Sequence, residues 1–280
     1  MISAIDLNGL PALQLKAPDG ARATVLLQGA QIVSWQSADG VEQLFLSDKA
    51  KFEPGQPVRG GIPVVFPQFN ERGPLPRHGW ARTTPWQLLS HHMGANDALA
   101  VLSATDTPQT HDVWPYRYAL ELSLRISGTE LHVELSVENT GNTALSFTAA
   151  LHTYLRVDHL DAVRLRGLER LRYEDAVNKT EQIDAGEPIA IQGEFDRVYY
   201  DSARALTLED ASRHILINSQ GFTDVVVWNP GPQRCAELAD MHPLGYQQML
   251  CVESAAIGSA VQLEPGQSWI GRQLLEAQTP

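Results

Sequence analysis

Between Tyr118 and Val137 the chain changes side-chain character at almost every step. Tyr118, Leu120, Leu122, Leu124 and Ile126 alternate with Ala119, Glu121, Ser123 and Arg125; after Ser127-Gly128, Leu131, Val133, Leu135 and Val137 alternate with His132, Glu134 and Ser136. A period of two sends successive side chains to opposite faces of an extended strand. The segment therefore predicts an antiparallel hairpin with one buried face. Residues 144–151 predict a third strand, and further strands are expected at 22–27, 30–36, 42–46, 98–105, 205–210, 213–219, 223–228, 246–252 and 268–275. Helical periodicity is scarce: one short helix is expected over 234–241, after the breaker Asn229-Pro230-Gly231-Pro232. Many short strands between turn signals imply an all-β chain, a large antiparallel β-sandwich, instead of alternating βαβ units. No repeat, low-complexity tract or linker divides residues 1–280, which read as one domain. A hydrophobic content of 43% supplies the core it needs.

Charge narrows the partners. The net charge of −12 argues against nucleic acid and anionic membranes. Its distribution is uneven: from Arg59 to Arg82 the charged residues are Arg59, Glu71, Arg72, Arg77 and Arg82, so that stretch is +3 and the rest of the chain −15. A compact positive island on an acidic protein suits one small anion and not a polymer. No window approaches 18 uninterrupted apolar residues. The N-terminal residues lack the basic and apolar regions of an export signal, and two cysteines, Cys235 and Cys251, suit a reducing compartment. A cytoplasmic protein is expected.

Several chemistries lack their motifs. There is no glycine-rich nucleotide loop, no Gly-x-Ser-x-Gly elbow and no His-Glu-x-x-His. The pair His91-His92 reads as exposed histidines in a polar loop, and no metal site is expected. Three residues remain as candidates. His152 follows the strand ending at Leu151, Glu253 ends the apolar run Gln248 to Val252, and Asp196 precedes Arg197. A carboxylate at the end of an apolar strand needs partners or carries a raised pKa. Taken singly, each has a plainer reading: a satisfied core histidine, a structural ion pair and a surface pair.

The segment Arg59-Gly-Gly-Ile-Pro-Val-Val-Phe-Pro-Gln-Phe69 followed by Pro76-Arg-His-Gly-Trp-Ala-Arg82 closely resembles the glucose-6-phosphate 1-epimerase family, within the wider aldose 1-epimerase, galactose mutarotase-like group. The likeness continues through Leu151-His152-Thr153-Tyr154-Leu155, Asp196-Arg197-Val198-Tyr199, Val227-Trp228-Asn229-Pro230 and Cys251-Val252-Glu253. The resemblance implies a β-sandwich holding a sugar on a concave face, with His152 as general acid and Glu253 as general base. It also implies Arg59 and Arg82 as phosphate- or substrate-binding groups, Asp196 on sugar hydroxyls and His78 lining the site. Arg77 and Gln68 are added as substrate-binding candidates, although Arg77 stands where relatives often carry glutamine. The implied reaction exchanges the α and β anomers of an aldohexose 6-phosphate by opening and reclosing the ring. It involves no redox step and no covalent intermediate, so no cofactor is expected. For His152 to act as the acid near neutrality its pKa should lie near or above about 6.5, with Asp196 helping to hold the proton. The alternatives are an epimerase of free aldoses and a non-catalytic carbohydrate-binding sandwich. The partner is a small sugar phosphate, and a monomer is expected.

Overall fold

The computed structural model describes residues 1–202 and 204–278. Three antiparallel sheets account for the fold. Ile2–Leu7, Leu10–Lys16, Arg22–Leu26 and Ile32–Gln36 form a four-stranded meander. A back sheet of eight strands runs in the order Arg164–Arg166, Leu206–Glu209, His214–Gln220, Ser268–Gln278, Glu130–Asn139, Tyr118–Ser127, Asp97–Thr105, Gln87–Met93. A front sheet runs Thr180–Ile183, Arg172–Asp175, Phe195–Tyr199, Asp224–Asn229, Met249–Leu263, Leu145–Leu151, Val64–Val65, and Tyr154–Arg156 also pairs with Met249–Leu263. The expected hairpin forms with Leu122 opposite Leu135, and its alternating apolar residues are buried.

The same alternation explains the layering. Phe147, Ala149, Leu151, Val252 and Ala256 of the front sheet join Leu122, Leu135 and Leu275 of the back sheet in one apolar cluster that reaches from Leu13 to Ala277. The intervening residues of the front sheet face the other way, where Val65, Ala150, Val198, Val226 and Ala255 form a second cluster with Phe69. Tyr154, Met249 and Cys251 form a third with Phe45, Cys235 and Met241. The front sheet is thus covered on both faces, and its strands can carry chemistry on the outer face while the inner face holds the fold.

Four expectations need correction. His91 and His92 lie on the edge strand Gln87–Met93, not in a loop; every residue from Gln87 to His92 is exposed, so backbone pairing forms a strand that side-chain alternation does not announce. Residues 42–46 make only isolated bridges, to Gln36, Leu155 and Gly60. The strand expected at 246–252 begins at Met249, after a 3-10 turn over Gly245–Gln248, and continues to Leu263, so Glu253 sits within a strand and not at its end. The short helix spans Gly231–Glu237, starting and ending earlier than expected. No helix among the described residues is long and apolar enough to cross a membrane.

Candidate active site

Two front-sheet strands deliver the central pair. Leu145–Leu151 points Phe147, Ala149 and Leu151 inward, which sends His152 to the outer face. Met249–Leu263 points Leu250 and Val252 inward, which sends Glu253 the same way. His152 Nε2 lies 3.3 Å from Glu253 Oε1. The backbone of His152 is pinned by its N–H donating to Pro63 O at 3.0 Å. Its ring stacks on that of Tyr154 at 4.9 Å between centroids, and His78 and Trp228 meet it edge-on. His152 Nδ1 and Glu253 Oε2 are both enclosed without a hydrogen-bond partner.

The arginine-rich loop closes over this pair. Val64–Val65 extends the front sheet beside Leu145–Leu151, and Phe66 packs among Trp114, Tyr118 and Phe147. Gly79 has φ +65°, and a Cβ there would overlap the carbonyl of Phe66, so only glycine allows the loop to return this close to itself. That return presents His78, whose Nδ1 accepts from the Asn70 N–H at 3.3 Å. An accepting Nδ1 leaves Nε2 as the protonated nitrogen of a neutral ring. Burial, with His152 and the arginines nearby, pushes the His78 pKa down to about 2, which agrees.

A cavity of about 150 Å³, partly open to solvent, is lined by Arg59, Arg77, His78, Arg82, His152, Asp196 and Glu253. These are seven of the eight expected residues. Gln68 is the exception. Its amide donates to Asn70 O and Leu75 O and accepts from the Leu75 N–H, so it braces the loop from outside the cavity instead of reaching the expected ligand. Arg72 also lies outside, paired with Glu174 at 2.9 Å. Sequence reasoning missed Tyr154, Trp228, Arg234 and Asp240, which line the same cavity. Tyr154 had a usable signal, because it stands two residues after His152 and so on the same face. Asp240, in the segment after the helix, had none.

The electrostatics depart from expectation. Burial, then the charges of Arg82 and Arg59, push the His152 pKa down to about 3, instead of near or above 6.5. Burial, then Asp196, raises Glu253 well above the usual carboxylate range. Both directions favour a proton on Glu253 beside a neutral imidazole. Burial, then Glu194, push the Asp196 pKa up to about 6.

The two arginines differ. Arg59 donates from Nε to Asp240 Oδ2 at 3.2 Å and from Nη1 to Tyr154 Oη at 3.1 Å. Arg82 donates from Nη2 to Arg77 O at 3.0 Å, its Nε is enclosed without an acceptor, and it makes no ion pair among the described residues. Burial lowers its pKa to about 10, so it stays charged near neutrality. A largely desolvated guanidinium without an anion leaves a deficit that a ligand can meet. His152, Cys251 and Glu253 each place one donor atom within 4.8 Å of the others. The guanidinium charge that disfavours imidazolium also disfavours a divalent cation here, and burial keeps the Cys251 thiol protonated.

Residues 11–276 match the family model described as aldose 1-epimerase. The chain belongs to the aldose 1-epimerase family. Two relatives bear the provisional name glucose-6-phosphate 1-epimerase. One, from Cenchrus ciliaris, is 34% identical over 281 residues, covering 96% of this chain and 85% of the relative. The other, from Escherichia coli strain K12, is 35% identical over 266 residues, covering 91% and 86%. A solved Salmonella typhimurium protein with the provisional name mutarotase (YeaD) superposes with a TM-score of 0.92 at 27% identity, covering all of this chain and 94% of the other.

Proposed function

We propose that this epimerase exchanges the α and β anomers of an aldohexose 6-phosphate, glucose 6-phosphate above all. The observation that carries the reading is the His152–Glu253 contact sharing one cavity with the uncompensated guanidinium of Arg82. Ring opening needs a proton delivered to the ring oxygen and another removed from the anomeric hydroxyl. Both oxygens are bonded to the same carbon, so two groups in contact can serve them together without spanning a wide cleft. After rotation about C1–C2 the groups exchange roles, and the ring recloses on the other face of the aldehyde. Asp196 and His78, which line the same cavity, hold sugar hydroxyls.

The phosphate has two tasks. Arg59 and Arg82 bind it through charge-assisted hydrogen bonds. Its negative charge also offsets the guanidinium field that disfavours a proton on His152. With the dianion bound, the proton moves from Glu253 toward the imidazole, giving the acid His152 and the base Glu253 that the resemblance implies. A free aldose leaves Arg82 uncompensated, and His152 stays neutral.

The chain is read as one catalytic unit, since a single apolar cluster spans Leu13 to Ala277. It is further read as a cytoplasmic monomer in which the free Cys235 and Cys251 remain thiols. The test is anomer exchange of glucose 6-phosphate and of glucose, followed side by side. Wild type should be far faster on the phosphate ester, and Arg59→Ala should weaken phosphate-ester use far more than glucose use. Equal rates on the two sugars, or equal losses in Arg59→Ala, defeat the phosphate assignment.

A further inference from the structure

Behind the catalytic pair, on the inner face of the front sheet, runs a polar chain inside the main apolar core. Thr153 Oγ1 donates to Gln273 Oε1 at 2.6 Å, Gln273 Nε2 donates to Ser254 Oγ at 2.7 Å, and Ser254 Oγ shares a 2.7 Å hydrogen bond with Ser219 Oγ. Thr153, Ser254 and Gln273 are each no more than 1% exposed. Along their strands they are flanked by Leu151, Leu155, Val252, Ala256, Ile217 and Leu275, all members of the apolar cluster between the sheets. Thr153 and Ser254 are the residues immediately after His152 and Glu253, while Gln273 and Ser219 belong to the back sheet, paired in register.

We propose that Gln273 is a positioning residue for the reaction: its side-chain amide bridges the residue behind His152 to the residue behind Glu253. It anchors both to the opposite sheet. The inference rests on the reading of His152 and Glu253 as the proton-transferring pair. Four apolar side chains would fill the same space without needing partners, and such replacements are often neutral or stabilising. The polar chain adds directional bonds, which apolar contacts lack. His152 lies outside regular strand pairing, between Leu151 and Tyr154, so its position relative to Glu253 depends on single bonds at the turn, among them its own N–H donating to Pro63 O, and not on a continuous ladder. The Val252 N–H donating to Thr153 O at 3.0 Å holds it within the sheet, and Gln273 holds it from beneath. A misplacement of about 1 Å between a catalytic group and its target costs on the order of 10²-fold in rate.

The experiment compares Gln273→Met and Thr153→Val with Thr153→Ser and with Leu275→Ala, a core substitution that leaves the polar chain intact. Each is assayed well below its own Tm. Gln273→Met and Thr153→Val are expected to lower kcat about ten- to hundredfold with KM within about twofold. The double variant should be little worse than either single one, since both cut one chain. Thr153→Ser, which keeps the hydroxyl, should restore most of kcat, and Leu275→Ala should lower Tm while kcat holds. Independently of turnover, the imidazole NMR signals of His152 in the unliganded protein should shift or broaden in Gln273→Met and not in Leu275→Ala. Unchanged kcat with unchanged His152 signals, a loss confined to KM, or an equal kcat loss in Leu275→Ala overturns the positioning role. Wild type lacking anomer exchange defeats the functional reading of the pair, and the NMR comparison still decides the bridge.

Discussion

Arg272 and Glu134 face each other across the back sheet as an ion pair whose side chains are 50% and 35% exposed. On the outer face of the front sheet, His152 and Glu253 are enclosed with bare polar atoms, and Arg82 has no counter-ion among the described residues. Water and a partner satisfy the first set at little cost or gain, under about 1 kcal/mol for such a pair. The second set meets desolvation without full compensation, a cost of several kcal/mol for an isolated ion. The difference locates function. Charges enclosed beyond what the fold needs mark the place where a substrate completes the network.

The largest expected effect comes from removing the pair. His152→Ala and Glu253→Gln should each lower kcat for glucose 6-phosphate by on the order of 10²–10⁴-fold, measured by NMR exchange between anomers. A loss under tenfold would place the chemistry elsewhere. Next is Arg82→Met, which removes the unpaired charge while keeping most of the side-chain volume. It should cut kcat/KM for the phosphate ester at least about a hundredfold and raise stability by at least about 1 kcal/mol in urea unfolding. A destabilised variant with unchanged kinetics would show that Arg82 is structural.

A smaller effect sharpens the contrast through pH. Burial raises folded Glu253 above the unfolded carboxylate value of about 4.3. Its favourable contribution is therefore complete below that value and is lost as pH rises toward the folded pKa. Wild type should lose stability relative to Glu253→Gln by about 1.4 kcal/mol per pH unit across that window. Parallel stability curves would mean that the fold leaves the Glu253 pKa unshifted. His152 has the opposite sign. With its folded pKa lowered to about 3, it costs stability as pH falls below about 6.5 and an unfolded imidazole takes up a proton. The smallest effect belongs to the back sheet: Arg272→Ala should change stability by less than about 1 kcal/mol and leave anomer exchange intact.

The parts of the fold visible in sequence were those with one wet face and one dry face. Leu122 opposite Leu135 is such a case, and the hairpin was read from alternation alone. The edge strand carrying His91 and His92 is wet on both faces, and the segment that begins Met249–Leu263 is dry on both, so neither shows where it begins or ends. The site was legible through local motifs, which brought together Arg59, Arg77, His78, Arg82, His152, Asp196 and Glu253. Asp240, whose carboxylate meets Arg59 across 181 positions of chain, carries no local signal. Protonation was the least legible property. His152 reads as an ordinary acid until burial and two guanidiniums are placed around it.

A phosphate dianion is expected to complete the buried positive site and to move the proton of the pair to His152. The most direct measurement is the ¹⁵N imidazole spectrum of His152 near pH 7 as inorganic phosphate is added, in wild type and Arg82→Met. Wild type is expected to move from a neutral ring toward imidazolium as phosphate saturates, and Arg82→Met to show little change. A wild-type ring that stays neutral at saturation, or is already charged without phosphate, would contradict it.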